Sequence, residues 1–190
     1  MDNKLIVIEA PNEAYSAENE NSIKVFIAGG ITNCPNWQKE LIEYLQVEFK
    51  EVDYYIPTVS LYNPRRENFP IDIPEEMERQ IVWEYHHLKE ADIIIYWFSN
   101  GSLNPIVLYE LGKWGNSGTK EIIMGIDPLY ERKDDVIIQT KLAKPELEVC
   151  EDFGIFKANV FEKLASSKYK ASQELYEFSK NIGMEFDERI

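Results

Sequence analysis

Five short apolar runs punctuate the chain, at residues 5–8, 23–28, 52–56, 93–98 and 121–126, and each has the length of a strand. Their apolar character is nearly continuous rather than alternating, the pattern of strands covered on both faces, as in a parallel sheet. Segments with helical spacing lie between them, at residues 37–49, 74–91 and 105–114. Strands that alternate with helices predict an open α/β sheet. In such a sheet the ligand crevice lies beyond the carboxyl ends of the strands. The polar stretch 13–21 reads as an exposed connection. The stretch 63–74 reads as a long loop, with three prolines and two arginines; loops of that length in compact domains often carry function. Helical spacing returns over residues 157–182, carried by Phe156, Val160, Phe161, Leu164, Tyr169, Leu175, Tyr176 and Phe178. The expected division is an α/β domain over residues 1–142 and a helical extension over 143–190, packed on the same domain or on a neighbouring subunit.

Two acids stand out against this pattern. Met77, Ile81, Glu84, Leu88 and Ala91 follow a 4-3-4-3 spacing that makes one stripe on a helix, and Glu84 is its one charged member. Either it pairs with a base at the rim of the stripe, or it faces a pocket with its pKa set by burial. Glu110 falls in the second turn of the helix at 105–114, among Ile106, Val107, Leu108 and Leu111. A helix apolar on most sides predicts partial burial of that acid, and Gly112 and Gly115 suggest close packing. Asp92, at the amino end of its strand, lies away from the expected crevice and reads as structural. Asn104 followed by Pro105 reads as a helix start, with Asn as N-cap and Pro at the first helical position.

Gly29 and Gly30 follow the strand at 23–28. They fit either a ligand crevice at the strand end or a tight turn. There is no GxGxxG and no GxxxxGK[ST], so a dinucleotide or triphosphate site is not supported. Arg65 and Arg66 fit either a clamp on a carboxylate or phosphate or pairs with surface acids. His86 and His87 are adjacent on a helix and point about 100° apart. No HExxH is present, and no metal or organic cofactor is expected.

Composition narrows the partners. The 190 residues are 44% hydrophobic and 13% aromatic, enough for one domain with a substantial core. The formal charge is −14, which argues against a phosphate backbone and against an anionic membrane surface. The two cysteines, Cys34 and Cys150, show no metal spacing. With no leader-like N-terminus and no run long enough to span a bilayer, a cytoplasmic protein with free thiols is expected.

Taken in order, VFIAGGI, NWQKEL, NPRRENFP, RQIVWEYHHLKEADIIIYWF, NPIVLYELG and MGIDPLYERKDDVIIQ resemble the nucleoside 2-deoxyribosyltransferase-like family over roughly residues 4–140. The resemblance implies a flavodoxin-like (Rossmannoid) three-layer α/β fold with a mainly parallel five-stranded sheet. It also implies cleavage of an N-glycosidic bond through a covalent glycosyl-Glu intermediate, with the sugar passed to another base or to water. The matching nucleophile is Glu110, and Glu84 is the acid that protonates or orients the base. Gly29, Gly30, Ile31, Trp37, Asn63, Arg65, Arg66 and Asn104 are the implied substrate-binding positions. Asn104 stands where related transferases carry Asp, and Phe26 where some carry Tyr. The partners implied are a nucleoside or nucleotide, a free nucleobase, and further copies of the chain in a homo-oligomer. A nucleoside 5′-monophosphate N-glycosidase and a non-catalytic nucleotide-binding module remain open as alternatives.

Overall fold

A computed structural model describes residues 5–13, 22–54, 56–70, 72–115 and 117–166. The described chain runs β1 (Leu5–Glu9), β2 (Ile23–Gly29), α1 (Trp37–Glu51), β3 (Val59–Asn63), α2 (Pro74–Glu90), β4 (Ile93–Phe98), α3 (Pro105–Trp114), β5 (Glu121–Ile126), α4 (Lys133–Ala143), β6 (Val149–Cys150) and α5 (Phe153–Ala165). The strands form one six-stranded sheet in the order β1-β3-β2-β4-β5-β6, with every pairing parallel. Strands β2 to β6 alone give the flavodoxin-like order 2-1-3-4-5, and β1 adds one more strand outside β3. The fold class is as expected from sequence, with six strands rather than five.

The apolar strands serve both faces of the sheet. Phe26 and Ala28 of β2 and Ile94, Tyr96 and Phe98 of β4 pack under Trp83 and Leu88 of α2, Val107 of α3 and Val136 of α4. Ile23, Val25, Ile27, Ile93, Ile95 and Trp97 face the other way, against Trp37, Leu41 and Leu45 of α1 and Phe156, Val160 and Leu164 of α5. A sheet with helices on both faces needs near-continuous apolar strands, which is what β4 (IIIYWF) supplies with every residue buried. Side-chain caps start two of the helices: Asn36 Oδ1 accepts from Lys39 N at 3.1 Å, and Asp152 Oδ1 from Ile155 N at 2.9 Å. Asp92 has the structural place expected for it. Its Oδ2 accepts from Lys24 N at 2.8 Å, which ties the amino ends of β2 and β4 together.

Three sequence expectations are corrected. The apolar run at 52–56 is not a strand: Val52 ends α1, and Ile56 is a buried lead-in to β3 at Val59–Asn63. β3 is buried throughout although it carries Ser60 and Asn63, because the Ser60 hydroxyl bonds the Ser22 hydroxyl at 2.6 Å and Asn63 is bonded at both ends of its amide. On α2 the stripe is rotated. Gln80, Trp83, His87 and Leu88 are the buried set, whereas Met77 and Ile81 are 45% and 58% exposed. Gly112 meets no neighbour within 4 Å, so it marks no close packing. Beyond the α/β core, β6 extends the sheet edge beside β5 and α5 packs on the sheet; the helical spacing expected past residue 166 lies outside the described residues. No described helix is long and apolar enough to cross a membrane.

Candidate active site

The chain leaves β2 towards one face of the sheet, to α1, and leaves β4 towards the other, to α3. The two strands are neighbours, so a crevice opens between their carboxyl ends, at the topological switch point. A cavity of about 420 Å³ occupies it, within the range of small-molecule sites. Its lining includes Phe26, Ala28, Gly29, Gly30 and Ile31 from the β2 side, Pro64 and Glu84, and Asn104, Val107 and Glu110 from the start of α3.

Glu84 and Glu110 are both half-buried here, one on α2 and one on α3. Burial, and then the negative charge of Glu84, pushes the Glu110 carboxyl up to about 8. Burial also raises Glu84, against a hydrogen bond from Gln80 that favours its ionised form. Two carboxyls with raised pKa values in one apolar cavity cannot both ionise cheaply, so near neutral pH the pair retains a proton. Gln80 sets the Glu84 side chain: its Nε2 donates to Glu84 Oε1 at 2.8 Å and to Pro64 O at 2.7 Å. Sequence reasoning passed over Gln80, although it lies one helical turn before Glu84, the spacing at which a Gln and an acid meet.

Gly29 ends β2 and Gly30 follows it. They line the cavity, and neither has room for a side chain: a methyl group on Gly29 would run into the Trp37 ring, and one on Gly30 into the Asn104 amide. Trp37 itself is buried in the core under the site rather than in the cavity wall. Its Nε1 donates to Gly30 O at 3.0 Å and fixes the floor. Asn104 precedes Pro105 at the start of α3 as expected, but it does not cap the helix. Its backbone is left-handed (φ 49°, ψ 51°), a conformation asparagine tolerates better than most residues. Its side chain turns to the crevice, where Nδ2 donates to Ser99 O at 3.1 Å and Oδ1 lies 3.5 Å from Cys34 Sγ.

Asn63, Arg65 and Arg66 do not line the cavity. Asn63 Oδ1 accepts from Arg65 N, and its Nδ2 donates to Glu9 Oε1. The Arg65 guanidinium donates to Pro35 O, Gln38 Oε1 and Cys34 O at 2.9–3.2 Å, which binds the loop after β2 to the loop after β3. Arg66 pairs with Glu76 at 2.8 Å and stacks on Phe69.

These elements define an open parallel α/β protein with two acids in a cavity at its switch point. Residues 22–129, more than half of the chain, match the family described as nucleoside 2-deoxyribosyltransferase like, and the chain belongs to that family. The family is typically one of glycosyl-transfer-type enzymes, acting on nucleosides and nucleobases. No curated protein matches the chain.

Proposed function

We propose that this protein cleaves the N-glycosidic bond of a nucleoside, with Glu110 as nucleophile and Glu84 as the acid that serves the base. The observation that carries this reading is the pair itself: two raised carboxyls from different helices in one nucleoside-sized cavity. With the base lodged against Glu84, the shared proton passes to a ring nitrogen, and Glu110 is left ionised beside the sugar. A Glu110 oxygen bonds C1′ as the C1′–N bond breaks, and the electron pair of that bond leaves with the protonated base. A second base or a water then attacks C1′ and displaces Glu110, with Glu84 taking the incoming proton.

Among the described residues the cavity lining carries two acids and no cation. That favours an uncharged nucleoside over a 5′-monophosphate, since both arginines of the 63–74 loop are engaged elsewhere. Ile106 of the cavity lining is 63% exposed, and Ile81 on α2 and Tyr109 on α3 are further exposed apolar side chains, at 58% and 67%. Exposed apolar side chains on the helices that carry the two acids suit a second copy of the chain packing beside the pocket.

The test is incubation with 2′-deoxy-2′-fluoro nucleosides, which slow the second step more than the first. An intact-mass gain of one fluorosugar, absent in Glu110→Gln, supports the reading. Release of free base with equal rate in Glu110→Gln overturns it. Tight nucleoside binding without product would mark a binding module instead.

A further inference from the structure

Tyr96 stands on β4 in register with Ala28 of β2, on the sheet face that also carries Phe26 and that Val107 of α3 covers. Phe26, Ala28 and Val107 all line the cavity, so the Tyr96 ring belongs to the layer that supports it. Tyr96 is fully buried, and its Oη has no hydrogen-bond partner among the described residues. A phenol buried in a core ordinarily has its hydroxyl satisfied, and an orphan one asks for a reason in the chemistry beside it.

That chemistry is Glu110. Burial, and then the charge of the Glu110 carboxylate, hold the phenol far above the usual tyrosine range, so the hydroxyl keeps its proton to donate. The other titratable groups packed around this end of the sheet are committed. Glu84 of α2 accepts from Gln80, His87 of α2 bonds Trp83 O, and the Tyr130 hydroxyl donates to Leu103 O at 2.7 Å. Among the described residues no other side-chain donor acts on Glu110. Among the described residues, then, a buried donor without an acceptor lies within electrostatic reach of a half-buried carboxyl without a side-chain donor.

We propose that Tyr96 is the positioning residue for Glu110: as Glu110 ionises in the occupied site, Tyr96 Oη donates to its carboxylate and fixes the oxygen that faces the sugar. A neutral carboxyl makes weak demands on a donor, whereas an anion held away from water makes strong ones, so the bond belongs to the reacting state. This inference rests on the reading of Glu110 as nucleophile.

Tyr96→Phe keeps the ring and removes only the orphan hydroxyl, so the fold survives and Tm holds or rises. The expected result is a fall in kcat of about 10- to 100-fold with KM nearly unchanged, the worth of a hydrogen bond to a charged group. The acid limb of the kcat/KM profile moves up by about one unit, as does the Glu110 carboxyl titration followed by NMR in the free protein. A rate and a titration both equal to wild type overturn the proposal, and so does a lower rate with a lower Tm and an unmoved titration. Glu110→Gln is run beside it. If that variant is dead while Tyr96→Phe is normal, the positioning role falls and the nucleophile stands. If Glu110→Gln keeps its rate, the nucleophile falls and the positioning role falls with it.

Discussion

Glu84 reaches the cavity from α2 and Glu110 from α3, and the charge of Glu84 adds to burial in holding the Glu110 carboxyl up to about 8. Neither acid lies near the other in sequence. The sheet brings them together by placing α2 and α3 on the same face, at the two ends of β4.

The pair makes stability depend on pH with a definite sign. Glu110 has a higher pKa folded than unfolded, so between about 4.5 and 8 the folded state binds more protons and stability falls as pH rises. Glu110→Gln abolishes that loss. Its Tm is expected to exceed wild type at pH 8.5 by roughly 3–6 °C, for about 1–2 kcal/mol after solvent screening of a partly exposed group. At pH 4.5 the two should coincide within about 1 °C. Thermal melts across this range check it, and a variant less stable than wild type at high pH would contradict the raised carboxyl.

Glu84→Gln keeps the shape of the site and removes its acid. Cleavage of ordinary nucleosides is expected to drop about 10²- to 10⁴-fold, the usual worth of a positioned general acid. A 2-deoxyriboside with a nitrophenolate leaving group needs no proton to depart. Its cleavage should fall by less than about 10-fold in the same variant. Equal losses on both substrates would remove Glu84 from the leaving-group side.

Gln80→Leu tests the arm that holds Glu84. Both Nε2 bonds disappear, one to Glu84 and one to Pro64 O, at a cost of about 1–3 kcal/mol in stability. Because the Gln80 bond favours ionised Glu84, its loss raises that carboxyl further. The basic limb of the rate profile is expected to move to higher pH. Unchanged melting and an unchanged profile would show that Gln80 supports nothing.

The legible and illegible parts of this fold divide along physical lines. β4 and β5 were readable because strands covered on both faces are continuous apolar runs, and the α2 and α3 boundaries because Pro74 and Pro105 mark helix starts. β3 was missed because Ser60 and Asn63 interrupt its pattern, and only partners distant in sequence, Ser22 and Glu9, show how they are buried. The α2 stripe turned because Trp83 packs between Phe26, Tyr62 and His87 while its Nε1 donates to Asn12 O, contacts no periodicity encodes. At the site, Glu84, Glu110, Gly29 and Gly30 were visible as departures from pattern. Tyr96 was not, since an aromatic in a buried strand looks like core until its hydroxyl is found alone.

Asn104 carries two jobs that substitution can separate. Its backbone is left-handed, and its amide spans Ser99 O and Cys34 beside the cavity. Asn104→Gly removes the amide but adopts φ 49° without strain; Asn104→Ala removes the amide and adds about 1–2 kcal/mol of left-handed strain. The alanine variant is therefore expected to melt roughly 2–8 °C below the glycine variant. If the amide also contacts the nucleoside, both variants share one increase in KM, about 2- to 13-fold for a hydrogen bond to a neutral group. Asn104→Asp completes the set. It places a third acid beside Glu84 and Glu110 and sets a carboxylate against Ser99 O where an N–H stood, so its stability should fall more at pH 8 than at pH 5. A glycine variant with wild-type KM would leave Asn104 a purely structural residue, whatever its alanine counterpart does to Tm.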